Sequence, residues 1–244
     1  MKGFAEKDSS SKQINTITTF PVPFPLDRIT DNTAIYTNSF SNLSKEKIIS
    51  QAFKFHAEDN IKEAIKHYQY FIDQGFTDPR VFSNYAIILK GLGNLVKAEN
   101  LLRKSIKLNP NLVETHSNLG IVLRDLCKLD EAKISLKNAI KLKPDNQEIH
   151  NILGVILKDL GQLKAAEISI RKALKLQPDY ADALMNLGGV LVCLDDLREA
   201  ELVTRKAIEL LPNDPGPHLN LSNILKQFGR IEEAEISLRK AISL

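Results

Sequence analysis

Pro110, Pro144, Pro178 and Pro212 follow one another at intervals of 34 residues, and no other feature of the chain narrows its fold as far. A fixed period of that length marks stacked supersecondary units, each too small to bury its apolar face alone. Extended in both directions, the frame divides the chain without an insertion into 45–78, 79–112, 113–146, 147–180, 181–214 and a shorter 215–244.

Within a unit, apolar and small residues recur at spacings of three, four and seven, which marks amphipathic helices and not strands. The eighth position is Ala52, Ala86, Gly120, Gly154, Gly188 and Ser222, and the twentieth is Ala in every unit, from Ala64 to Ala234. Small side chains at one fixed place on each of two helices let their backbones approach closely. Larger apolar residues surround them, as at Leu89, Leu123, Leu157, Leu191 and Leu225 in the eleventh position. Gly93, Gly161 and Gly229 at position fifteen suit the left-handed residue that ends a helix. Pro at position thirty-two stops the second helix. Each unit reads helix, short turn, helix, stop. Ten Phe, five Tyr and no Trp are few anchors for one deep core, but enough for a core divided into thin layers.

The pattern resembles the tetratricopeptide repeat. The resemblance rests on the small residue at eight, Ala at twenty, a small residue at twenty-seven (Ser105, Ala139, Ala173, Ala207, Ala241) and Pro at thirty-two. It covers 45–244 and implies an all-α fold, a right-handed α-solenoid of about six helix-turn-helix repeats. Unit one departs from the pattern with Gln51, Phe71 and Phe76, as terminal repeats do. Residues 1–44 stand apart. Rich in Ser, Thr, Asn and Gln and without a helical apolar period, they read as a disordered polar tail. Its stretch from Phe20 to Leu26, with Pro at every second place, favours polyproline II.

Composition excludes several partners. Thirty-three Lys and Arg against 30 Asp and Glu leave +3, too little to draw nucleic acid by charge, and no aromatic platforms for base stacking line the array. The longest apolar run, Leu187 to Leu194, falls short of the roughly 18 residues of a membrane span. The polar start, with Glu6 and Asp8, is neither a secretory nor a transit signal. Cys127 and Cys193 have no companions at zinc spacing, which fits a reducing compartment. The expectation is a cytoplasmic chain that binds neither nucleic acid nor membrane.

Catalysis finds no support either. Gly91-Leu92-Gly93 lacks the third glycine of a dinucleotide loop, where Val96 stands. His116, His150 and His218 share position four. Packed helices lie roughly 8–10 Å apart, whereas metal ligands converge within about 2 Å of one ion, so these histidines are expected to fill space between repeats. No cofactor, metal or catalytic residue is implied.

Function is therefore sought on a surface. The resemblance implies that the first helices line a concave groove whose ligand face uses positions two, five, six, nine, twelve and thirteen. Asn84, Asn118, Asn186 and Asn220 recur at six, and Lys90, Arg124, Lys158 and Lys226 at twelve. Glu114, Glu148 and Asp182 at two and Asp125 and Asp159 at thirteen oppose them, so the signs roughly cancel. A carboxamide offers an acceptor and donors, matching both polar groups of a peptide unit. The row resembles the asparagine ladder in the repeat superhelix of O-linked N-acetylglucosamine transferase, where it grips substrate peptides. The resulting reading is a non-catalytic scaffold for a partner protein or an extended peptide. An alternative, supported by resemblance alone, is the substrate-recruiting N-terminal region of a larger glycosyltransferase or sulfotransferase. The frame stops mid-unit at Leu244, with Leu238, Ile242 and Leu244 near an apolar edge, and a homodimer through that uncapped repeat is the matching expectation.

Overall fold

The computed structural model describes residues 44–244, which form twelve α-helices and no strand. Alternate helices α1 (Lys45–Ala57), α3 (Pro79–Gly91), α5 (Val113–Asp125), α7 (Gln147–Asp159), α9 (Ala181–Cys193) and α11 (Pro215–Gln227) are the first members of six hairpins. Their partners are α2 (Ile61–Asp73), α4 (Leu95–Leu108), α6 (Leu129–Leu142), α8 (Leu163–Leu176), α10 (Leu197–Leu210) and α12 (Ile231–Ser243). The architecture is an all-α solenoid. The tail expected over 1–44 lies outside the described residues except for Ser44, whose hydroxyl accepts from the Lys47 amide and caps α1.

Two compact units are present, one ending at Phe76 and one running from Thr77 to Leu244. The first contains α1 and α2 and is the aromatic variant of the hairpin. Tyr68 and Phe71 are fully buried, and Phe76 stands where later seams carry Pro, its ring 5.5 Å from that of Phe71. His56 Nδ1 and the Tyr68 hydroxyl are 3.1 Å apart. Burial lowers the His56 pKa, opposed by the charge of Asp59.

In the second unit, α3 to α12, the small-residue columns set how closely each hairpin closes. A methyl group on Gly120 would lie 2.8 Å from Leu136 Cγ, and one on Gly154 would collide with Ile170 Cγ1. Ala132 and Ala166 are fully buried opposite them. The helix-ending turns all require a left-handed residue: φ is 77° at Gly93, 71° at Gly161 and 77° at Gly229, but also 58° at Cys127 and 62° at Asp195. The following amide bonds back to a carbonyl of the first helix, 2.8 Å from Lys128 to Leu123 and from Gln162 to Leu157. A side chain held left-handed costs about 1–2 kcal/mol, so Cys127 and Asp195 show that the turn is dictated by packing and not by glycine.

Hydrogen bonds lock the repeats at their seams. His116 and His150 are buried, and each donates from Nε2 to the carbonyl of the preceding seam proline, Pro110 and Pro144, at 2.8 Å. The carbonyls of these two histidines accept in turn from Ser135 and Ser169, also at 2.8 Å. Position four thus fills space and also satisfies a seam carbonyl, a polar duty that spacing alone did not indicate. His218 does not repeat it: its Nε2 is buried without a partner among the described residues. At the last hairpin Leu238, Ile242 and Leu244 are 39%, 78% and 44% exposed.

Candidate functional site

Consecutive first helices from α3 to α11 touch one another, whereas the principal contacts of each second helix are with first helices alone. Stacking that is tighter on one side curves the array and puts the first helices on its inner wall. Position six lies on that wall, and its four asparagines are not equivalent. Asn118 is only 3% exposed, and its Oδ1 is buried without a hydrogen-bond partner among the described residues. Asn84 is in the same condition at Nδ2. Asn186 has found a partner, donating from Nδ2 to Oδ1 of Asn151 at 3.0 Å. Asn220 lines a cavity of about 520 Å³ between α9 and α11, together with Gly188, Gly189, Asn223, Lys226 and Gln227.

The basic row at position twelve divides in the same way. Lys90 pairs with Asp125 at 3.7 Å and Arg124 with Asp159 at 2.6 Å. Each pair joins position twelve of one repeat to position thirteen of the next. Lys158 would continue the series, but position thirteen of its neighbour is Cys193. Among the described residues neither Lys158 nor Lys226 has an acidic partner.

At the other edge of the wall the acids of position two are also uncompensated. Burial raises the pKa of Glu148, and the charge of Asp182 adds to it. Desolvation likewise raises Asp182, assisted by Asp214. Tyr180 sits beside them with its phenol pushed up to about 12, chiefly by burial, against a hydrogen bond with Asn151 that lowers it. Sequence reasoning did not single out Tyr180 or Gly189 as parts of the wall, nor Asn151 and Cys193 as the residues that change its polar pairing. The available signal was a change of residue type down a column: Ile87, Ile121 and Val155 precede Gly189 at position nine, and Asp125 and Asp159 precede Cys193 at thirteen.

Among the described residues no helix is long and apolar enough to cross a membrane. No three His, Cys, Asp or Glu side chains gather among them as metal ligands would.

Curved stacking of helix hairpins on a 34-residue frame defines a repeat solenoid of the kind that serves protein interaction. The tetratricopeptide repeat pattern matches residues 79–112, 113–146, 147–180 and 217–244, more than half of the chain, and the chain belongs to that family. No curated protein sequence matches it. The crystal structure of MamA is similar at 26% identity, with a TM-score of 0.58, covering 65% of this chain and 92% of that one. A tetratricopeptide repeat protein from Parabacteroides merdae shares the fold over 82% of this chain and 79% of its own, with a TM-score of 0.71 at 15% identity. YrrB, described as a repeat protein with an unusual peptide-binding site, covers 72% of this chain and 91% of its own at 23% identity and a TM-score of 0.56.

Proposed function

We propose that this chain is a non-catalytic binding module that holds an extended peptide, or an extended segment of a partner protein, along the wall formed by α3, α5, α7, α9 and α11. The observation that carries the reading is the pair of unspent amide atoms, Asn84 Nδ2 and Asn118 Oδ1, both buried at position six without a partner among the described residues. A buried donor or acceptor left unpaired costs about 1–3 kcal/mol. A peptide backbone offers both an acceptor and a donor at every residue, so one extended chain can satisfy the two asparagines once their side chains turn out of the wall, without being read by sequence. Asn186, tied to Asn151, contributes only what remains of its carboxamide, and Asn220 adds a contact where the cavity opens.

The test begins with peptides selected by the full chain from a random phage-displayed library, then measured as labelled synthetic peptides by fluorescence anisotropy. Asn84→Ala combined with Asn118→Ala should weaken binding by about tenfold, equivalent to about 1.4 kcal/mol. The melting temperature should hold or rise, because the substitutions delete unpaired buried groups. Undiminished binding in that variant would sink the reading.

A further inference from the structure

The ion-pair ladder of the inner wall stops at one place, and the wall opens at the same place. Lys90 and Arg124 are each neutralised by the aspartate of the next repeat. Cys193 occupies the corresponding position for Lys158 and is exposed, so among the described residues the Lys158 ammonium has no acid beside it. One turn earlier on α9 is Gly189, at the position filled by Ile87, Ile121 and Val155 in the preceding first helices. Glycine in a helix interior is about 1 kcal/mol less favourable than alanine. Close helix packing accounts for Gly188, where a methyl group would lie 2.7 Å from Thr204 Oγ1. It does not account for Gly189, whose only neighbour among the described residues within reach of a methyl group is Lys158 Nζ, at 3.4 Å. The missing side chain leaves the cavity between α9 and α11, with Asn220, Asn223 and Lys226 on its far side. Lys158, whose ammonium reaches Gly189 at the rim, and Lys226, with the carboxamides of Asn220, Asn223 and Gln227, thus border a space that no acid among the described residues fills.

Across the wall the sign reverses. Glu148 and Asp182, at position two of α7 and α9, have no cationic partner among the described residues, and each has its pKa raised by burial and by an acidic neighbour. Ten residues of helix separate position two from position twelve, about 15 Å at 1.5 Å per residue. An extended strand crossing these helices directs successive side chains to opposite sides, so neighbouring residues of one ligand reach the two edges.

We infer that the wall formed by α7, α9 and α11 selects an extended segment in which acidic and basic residues alternate. A carboxylate of the segment enters the cavity beside Lys158, Asn220, Asn223 and Lys226, and the adjacent basic side chain turns toward Glu148 and Asp182. This inference rests on the groove reading above and adds to it the chemistry of the ligand. It is separate from the asparagine pair, because Asn84 and Asn118 lie on other helices.

The experiment uses the full chain and three labelled peptides of equal length: one alternating Glu and Lys, one with the same residues in two blocks, and one of Glu alone. Anisotropy titrations at low salt should show the alternating peptide bound about tenfold more tightly than the other two. Cys193→Asp restores the missing rung beside Lys158 at an exposed position and should remove that preference. Gly189→Ile should do so by filling the cavity, with circular dichroism confirming that both variants fold. Equal binding of the alternating and blocked peptides, or a preference that survives Cys193→Asp, overturns the inference. Library-selected peptides that depend on Asn84 and Asn118 but show no charge alternation overturn it while leaving the groove reading intact. If the library yields no groove-dependent peptide and the alternating peptide shows no preference, both fall.

Discussion

The wall from α3 to α7 and the wall from α7 to α11 follow one repeat frame, yet they handle their charges in opposite ways. In the earlier stretch, cations at position twelve are held by Asp125 and Asp159, and position nine carries Ile87, Ile121 and Val155. In the later stretch the acid is replaced by Cys193, the aliphatic by Gly189, and a cavity appears. A repeat scaffold can thus keep its backbone fixed while one residue per rung decides whether that rung is closed on itself or open to a ligand. The earlier stretch keeps only its unpaired amide atoms for recognition. The later one keeps its charges.

The largest effect expected from breaking this comparison comes from two glycines that look alike in sequence. Gly154→Val places a branched side chain against Ile170, which is fully buried. Overpacking of that kind costs about 1–3 kcal/mol, offset only by the few tenths of a kcal/mol by which valine is a better helix former than glycine. Thermal unfolding followed by circular dichroism should shift down by about 4–10 °C, at about 2–4 °C per kcal/mol for a chain of this size. Gly189→Val, facing the groove, should leave the melt within about 2 °C of wild type, since valine is also the better helix former. Equal losses in the two variants would mean that Gly189 is a packing residue and the cavity incidental.

A gain is expected behind the same cavity. Thr204 is fully buried with its hydroxyl unpaired among the described residues, in the column that holds Leu102, Leu136 and Ile170 in the earlier hairpins. Thr204→Val keeps the shape and deletes the unpaired group, so stability should rise by about 1 kcal/mol, read as a higher denaturation midpoint in urea. A lower midpoint would show that the hydroxyl has a role in the later stretch that its geometry does not reveal.

Smaller again is the exchange of rung chemistry. Asp159→Ala removes the partner of Arg124, and Cys193→Asp creates one for Lys158. Exposed ion pairs contribute about 0.2–1 kcal/mol, so urea midpoints should fall slightly in the first variant and rise slightly in the second. Both changes should fade in high salt, because exposed charges are screened. A salt-independent shift would mean that packing and not charge distinguishes the two stretches.

These contrasts also show what could be read from the chain before its structure. The hairpins were legible because backbone demands fix residue types in register: Ala at twenty, glycine or a tolerated substitute at fifteen, Pro at the seam. The wall was legible as a set of columns but not as a set of free groups. Lys90, Arg124 and Lys158 stand in one column, and their difference lies in residues 35 places further on, along a diagonal that a column does not display. The burial of Asn118 depends on the spacing between helices, which no residue type encodes. The Asn151 that engages Asn186 stands one place out of register, so its geometry emerged only with the fold.

The finest test concerns the acidic edge of the later stretch. Glu148 has its pKa raised by burial first and by Asp182 second, so the folded state holds its proton to higher pH than the unfolded chain does. Stability contributed by this group is therefore greatest at low pH. It declines as pH rises from the ordinary glutamate value of 4.5 through the raised value, and stays at its lower level above it. Gln cannot ionise, so Glu148→Gln should melt slightly higher than wild type at neutral pH. The two melts should converge as the pH is lowered toward 4.5. In an Asp182→Asn background the gain should shrink, because the second cause has been removed. A variant that melts lower than wild type at neutral pH would reveal a cation already compensating Glu148, and the later stretch would then be closed at its acidic edge just as the earlier one is at its basic edge.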